Sequence, residues 1–370
     1  MINRNFCWIA TWKITDRCNL RCTYCDPSIM TRADSSEIIN RFEVIDRISK
    51  YKPHILNISG GEPSLVKELP GLLSRAKAVW NPHIRVVHNG TAPQKLEESL
   101  PYIDRLVISI DGPGEVNKAT RGISGDAVLE RIAKLLDTIG TSAGTNAGIA
   151  ENIYVNTVVT EKNIDTLPLF ASQINSVSPR VTLALLPVMP LHSELSVLRD
   201  GEKGYRRFLD IYTKMKSAHN AVVHNFDCVM RHNDLRVIQC YNQYFTIRFS
   251  PRGDFFSCGA NLGSQLRRTD GAIKKVFKKG GVKKLFTMIS RSIKGRMGKI
   301  DFTCRNMCNC DSWLDMLLLG HDTEYAPILL REFKGRFCDS DYSELDEFVK
   351  KNINADFNVD WFRSMAEGER

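Results

Sequence analysis

The sequence predicts an α/β fold: an open, partial (β/α)6 barrel of the TIM type, then a small cysteine-rich α+β domain, then a helical tail. Three observations carry this. Six short apolar, β-branched runs alternate with helix-period segments through residues 1–200. The periodicity then gives way to a stretch dense in cysteine, 201–315, with a basic insertion at 266–300. Helical spacing returns in 316–370.

The first run is Trp8–Ile14, which leads straight into a cysteine loop. The others are Ile55–Ile58, Ile84–Val87, Leu106–Ile110, Ile153–Val159 and Val181–Leu186. Continuous apolar runs of this length read as parallel strands buried on both faces. Between them, Ser35-Ser36-Glu37 opens a helix carrying Ile38, Ile39, Phe42, Ile45 and Ile48. Asp126 opens another, with Val128, Leu129, Ile132, Leu135 and Leu136 on one face. In such a barrel the chemistry sits in the loops after the strands, which is where the first cysteines fall.

Composition bounds the function class. The 370 residues are 43% hydrophobic and 25% charged, with a formal charge of +9. These are values of a soluble globular protein whose partners or substrates include anions. No apolar run approaches the roughly 18 residues of a membrane span. Met1–Phe6 does not open a signal peptide, and 11 cysteines is an odd number, so reduced thiols in the cytoplasm are expected.

The cysteine loop reads Cys18-Asn19-Leu20-Arg21-Cys22-Thr23-Tyr24-Cys25. Cys18, Cys22 and Cys25 supply three thiolates and no fourth ligand nearby. Three thiolates can hold three irons of a [4Fe–4S] cube and leave one open. Structural zinc is the alternative, but it normally closes four ligands from paired cysteines. The C-x3-C-x2-C spacing, with aromatic Tyr24 before the third cysteine, resembles the radical SAM superfamily. That resemblance implies S-adenosylmethionine on the open iron, its reductive cleavage to a 5′-deoxyadenosyl radical, and hydrogen abstraction from a substrate.

Later segments extend the resemblance across residues 7–190. Gly60-Gly61-Glu62-Pro63 follows the second run and resembles the motif that receives the methionine amino group. His88-Asn89-Gly90-Thr91 follows the third, making Asn89 an implied pocket residue and His88 a strand-end packing residue. Ser109 and Asp111 stand two apart, so on a strand they would face one way, and the family directs such a pair at the ribose. Arg121 in Arg121-Gly122-Ile123-Ser124-Gly125 is implied to pair with the methionine carboxylate, a planar anion that suits guanidinium. Asn156 matches a pocket position on the fifth run. Tyr24 belongs to the same implied cofactor site.

Downstream, Cys240, Cys258, Cys304, Cys308 and Cys310 compete for a second site. Phe249–Gly259 reads as a hairpin turning at Pro251–Asp254. The Gly253-to-Cys258 spacing resembles SPASM and Twitch extensions, and the cysteine count favours the shorter Twitch form with one auxiliary [4Fe–4S] cluster. Zinc is one alternative, and two or three protein ligands with a substrate on the open iron is another. Cys7, Cys228 and Cys338 read as buried apolar residues. A thiol facing the barrel would instead donate a hydrogen atom and make the enzyme an epimerase.

The segment Leu266–Ile300 is strongly cationic, with Val282, Leu285, Phe286, Ile289 and Ile293 at helical spacing. A solvated insertion, an anionic membrane surface, and a phosphorylated or nucleic-acid ligand are the competing readings. The whole predicts a radical SAM oxidoreductase served by a one-electron reductant such as flavodoxin or ferredoxin. Its substrate is expected to be small or carbohydrate-like, since peptide modifiers often carry a recognition domain ahead of the cysteine loop. Ribosomal-peptide modification by thioether formation or epimerisation is the rival. A non-enzymatic zinc or nucleic-acid-binding protein is the rival from another class.

Overall fold

The computed structural model describes residues 7–25, 40–91, 93–141, 152–188, 194–226, 245–253, 255–256 and 330–368. The six expected strands are present as β1 (Ile9–Lys13), β2 (Ile55–Ser59), β3 (His83–His88), β4 (Arg105–Ser109), β5 (Ile153–Val159) and β6 (Thr182–Pro187). Three more join them: β7 (Val222–His224), β8 (Thr246–Phe249) and β9 (Phe255–Phe256). The order is β7-β6-β5-β4-β3-β2-β1-β8-β9. Eight strands are parallel, and β9 runs antiparallel to β8. The fold is therefore an open parallel α/β sheet, as expected, but larger than six units. It runs on past residue 200, where the sequence suggested a boundary. The β8–β9 hairpin is the one read from the turn residues, and it extends the same sheet by pairing with β1.

Helices cover the outer face. In chain order they are α1 (Arg41–Ser49), α2 (Leu69–Trp80), α3 (Pro93–Ser99), α4 (Gly114–Arg121), α5 (Gly125–Thr141), α6 (Leu167–Val177) and α7 (Glu202–Ala218). Asn40 caps α1 by accepting from Phe42 N–H at 3.0 Å. Ser35, Ser36, Glu37, Ile38 and Ile39 lie outside the described residues. Phe42, expected on the apolar face, is exposed instead. Alternate strand residues such as Trp12, Ile58, Val86, Ile108 and Val155 pack against the helices in one core. The opposite parity, including Val87, Val107, Tyr154, Ala184 and Val223, lines the inner face.

The tail is a plug. After Leu330 and Phe333, α8 (Asp339–Asn352) and α9 (Val359–Glu367) bury Tyr342, Leu345, Val349 and Phe362 against Trp8, Ile9, Ile55 and Phe245. Those last residues sit at or just before strand starts, so the tail closes the end opposite the cysteine loop. Burying each large side chain there contributes about 1.5–3 kcal/mol. Among the described residues no helix is long and apolar enough to cross a membrane.

A charged cluster lies under the plug. Glu332, 1% exposed at its side chain, pairs with Arg85 and with Arg105, and lies 3.6 Å from His83 Nε2. Burial, then Arg85 and Arg105, lower the His83 pKa to about 2. The His83 ring is therefore neutral, and its contact with Glu332 is not an ion pair. The sign of the pH effect follows. Below its usual value of about 6.5, the unfolded chain binds a proton that the folded chain refuses. Stability from His83 is complete above that value and is lost as pH falls from 6.5 towards 2. The expected slope is about 1.4 kcal/mol per pH unit. Denaturant titrations of wild type and His83→Asn between pH 7 and 5 check this, since only the wild type should carry that increment of slope.

Candidate functional site

Loops after β1, β2 and β3 are interlocked at the strand ends. Gly61 N–H donates to the Thr15 carbonyl at 2.8 Å, and Glu62 N–H to the Arg17 carbonyl at 2.7 Å. This approach leaves no room for a Cβ. One built on Gly61 would lie 2.0 Å from the Arg17 carbonyl oxygen, and one on Gly60 (φ +150°) 2.5 Å from that of Thr15. The two glycines thus seat the loop that ends in Cys18.

Glu62 ties the second loop to the third. Its Oε1 accepts from Ser64 N–H at 2.9 Å and Ser64 O–H at 2.6 Å, and its Oε2 accepts from Asn89 N–H at 2.8 Å. It is fully buried. Pro63 opens a 3₁₀ turn, Pro63–Leu65, for which Glu62 is the N-cap. Glu62 and Pro63 therefore build the loop from within. His88 accepts from Gly90 N–H through Nδ1 at 2.8 Å and is buried at the strand end, the packing role expected.

Asn89 reaches the cysteines. Its Oδ1 accepts from Thr91 N–H at 3.0 Å and Thr91 O–H at 2.5 Å. Its Nδ2 donates to Asn19 Oδ1 at 2.8 Å and towards Cys18 Sγ at 3.7 Å. Leu20 N–H points at the same sulfur from 3.4 Å. Asn19 Nδ2 closes the ring on Thr91 Oγ1 at 2.7 Å. Sequence reasoning passed over Asn19, Ser64 and Thr91 as site residues. The Asn-Gly-Thr turn was the available signal for the last of these.

Cys18, Cys22 and Cys25 are free thiols on one loop, with Cys25 N–H donating to the Cys22 carbonyl at 3.1 Å. Thr23 N–H donates to the Thr120 carbonyl at 2.8 Å, pinning the loop to α4. Among the described residues no three His, Cys, Asp or Glu side chains converge on a single ion. A cube takes each thiolate on its own iron. With N–H donors aimed at Cys18, the set fits a cube. Burial pushes the Cys22 thiol up to about 11 while Arg121 pulls it down, so metal loading must displace a proton there.

Asp111 departs from its expected place. β4 ends at Ser109, so strand alternation does not extend to Asp111. Asp111 is fully buried. Its Oδ2 accepts from Tyr24 O–H at 2.5 Å and its Oδ1 from Val158 N–H at 3.1 Å. Arg121 Nη1 donates to Tyr24 Oη at 2.6 Å and lies 3.7 Å from Asp111. Burial and then Asp111 hold the Tyr24 hydroxyl protonated, well above its usual pKa. Burial opposes the Arg121 charge, but Tyr24 and Asp111 outweigh it. Tyr24, Asp111 and Arg121 thus brace one another beside the cysteine loop. Arg121 keeps a buried Nε with no hydrogen-bond partner among the described residues. Ser109 and Asn156 are register partners across β4 and β5, both half-buried.

Cys7 is buried, donates to the Ile9 carbonyl, and has its pKa raised by burial to about 12. Cys338 corrects its expectation: it is exposed, at the N-cap of α8. Both lie at the plugged end, away from the cysteine loop. Cys228, Cys240, Cys258, Cys304, Cys308, Cys310 and the basic segment 266–300 lie outside the described residues.

Comparison with known proteins finds the radical SAM superfamily over residues 12–153. The chain is 30% identical over 174 residues to pre-heme d1 synthase of Dinoroseobacter shibae, covering 43% of this chain and 38% of that protein. It is 31% identical over 170 residues to mycofactocin maturase MftC of Mycolicibacterium smegmatis, covering 44% and 40%. It spans well under half the length of these curated relatives. Streptococcus suis SuiB bound to S-adenosylmethionine shares the fold, with a TM-score of 0.53 and 15% identity over 70% of this chain and 60% of that one.

Proposed function

Residues 12–153 belong to the radical SAM superfamily, whose enzymes use a [4Fe–4S] cluster and S-adenosylmethionine, and on that premise we propose that Cys18, Cys22 and Cys25 hold the cluster that cleaves S-adenosylmethionine. The observation that carries this is the interlock of the three loops, in which Gly61, Glu62 and Asn89 fix the backbone on which the cysteines sit. Cys18, Cys22 and Cys25 would hold the cluster, which would supply the electron for reductive cleavage of S-adenosylmethionine and so for hydrogen abstraction from the substrate. Arg121 Nε has a donor left for a carboxylate. Ser109 and Asn156 place two hydrogen-bonding side chains on neighbouring strands of the inner face.

The reaction proposed is net oxidation or epimerisation of a small or carbohydrate-like substrate, anionic where the chain's +9 charge assists. Net oxidation needs an electron acceptor beyond S-adenosylmethionine. Four thiolates from Cys240, Cys258, Cys304, Cys308 and Cys310 would hold a second cluster as that acceptor. A one-electron reductant of the flavodoxin or ferredoxin kind would serve the first.

Anaerobically reconstituted protein should carry about eight irons per chain, and a Cys18, Cys22, Cys25→Ala variant about four. With dithionite the wild type should form 5′-deoxyadenosine and the variant none. Equal 5′-deoxyadenosine from both would overturn the assignment. A wild type with about four irons would remove the second cluster alone.

A further inference from the structure

We propose that Asn89 is a positioning residue for the cluster, its carboxamide donating an N–H to the Cys18 sulfur and raising the cluster's reduction potential. The inference rests on the assignment of Cys18, Cys22 and Cys25 as cluster ligands. The amide orientation is set by chemistry: a backbone N–H only donates, and Thr91 N–H points at Oδ1 from 3.0 Å. The NH2 group therefore faces Asn19 Oδ1 and Cys18 Sγ. One of its two hydrogens serves each. Asn89 is 5% exposed, and its own N–H is held by Glu62 Oε2. The donor is thus carried on an over-determined turn at the end of β3, not on a mobile side chain.

The physical consequence is one of sign. Reduction adds negative charge to a cluster and its thiolates. An N–H donor stabilises the more negative state, so it raises the potential. Leu20 N–H gives Cys18 a second donor that belongs to the loop itself and survives any change at Asn89.

The test titrates the potential of the cluster whose electron paramagnetic resonance signal shifts on adding S-adenosylmethionine. Asn89→Ala should load iron as the wild type does and lower the reduced fraction at a fixed poise about tenfold, which is about 59 mV for one electron. Asn89→Asp keeps the acceptor for Thr91 but turns a carboxylate oxygen towards the thiolate, and should lower it further. Asn19→Ala removes the other acceptor of that NH2 group but keeps the Asn89 donor to sulfur, and should shift the potential by much less than Asn89→Ala does. If Asn89→Ala fails to load, the Asp variant decides. A wild-type potential in whichever Asn89 variant loads overturns the proposal, as does a fall in Asn19→Ala equal to that of Asn89→Ala. Absence of iron in the wild type itself would instead defeat the cluster assignment on which the proposal rests.

Discussion

Glu332→Gln should destabilise the protein by about 3–5 kcal/mol, the cost of breaking a buried ion pair from one side. Glu332 is the carboxylate that pairs with both Arg85 and Arg105, and all three side chains are largely buried between the strand starts and the plug. Removing its charge leaves two guanidiniums from adjacent strands, with Cα atoms in register, facing each other in low dielectric. Arg105 cannot swing away easily, because it stacks on Tyr154 at 3.9 Å from the ring centroid. The measurement is the urea midpoint at pH 7, with the slope m held constant. Replacing all three, as Glu332→Leu with Arg85→Met and Arg105→Met, should cost far less than Glu332→Gln alone, because no charge is left unpaired. A single variant within about 0.5 kcal/mol of wild type would show that the cluster is hydrated and the plug is held by its apolar contacts alone.

This cluster marks the limit of what the sequence discloses. The strands that hold Arg85 and Arg105 are legible, because β-branched runs between turn residues have few other solutions. β5 spans Ile153–Val159 as expected, β2 ends one residue later than expected, and β1, β3, β4 and β6 differ by one residue at both ends. That Arg85 meets Glu332, 247 positions later, is not legible. Charge pairing at long range depends on which element covers the barrel end, and periodicity is silent on that. β7 was missed because Val222-Val223-His224 is too short to stand out. β8 was read as a hairpin strand, but its parallel pairing with β1 follows only from closure of the sheet edge. The site divides in the same way. The cysteines, glycines and Asn89 are legible as candidates because their spacing is local. Tyr24, Asp111 and Arg121 are each legible from separate motifs, but their mutual contact is not. Tyr24 and Arg121 are 97 positions apart and meet by hydrogen bond, a contact that no local pattern encodes.

Gly61→Ala should abolish S-adenosylmethionine cleavage, by about a hundredfold or more, while leaving the fold intact. The added methyl would stand 2.0 Å from the Arg17 oxygen and 2.4 Å from the Arg17 carbonyl carbon, both backbone atoms. Neither can rotate away, so the Thr15–Arg17 segment must retreat and carry Cys18 with it. The Glu62 N–H to Arg17 bond at 2.7 Å goes first, and with Cys18 displaced the Asn89 amide no longer reaches its sulfur. A shift of about 1 Å in a catalytic group is enough for a hundredfold loss, and a cube held by three thiolates on one loop tolerates less than a flexible ligand would. The displacement is confined to loops beyond the strand ends, so the unfolding midpoint should move by no more than about 1–3 kcal/mol. Gly71→Ala is the control. Gly71 lies within α2, and its added methyl would meet only the Phe42 ring at 3.5 Å, an ordinary contact. It should leave iron content and cleavage unchanged and gain about 0.4–1 kcal/mol of stability. Iron content, 5′-deoxyadenosine yield and the urea midpoint, measured on both variants, separate a displaced ligand loop from a damaged fold. Full cleavage by Gly61→Ala would show that the loop after β2 does not seat the cysteines.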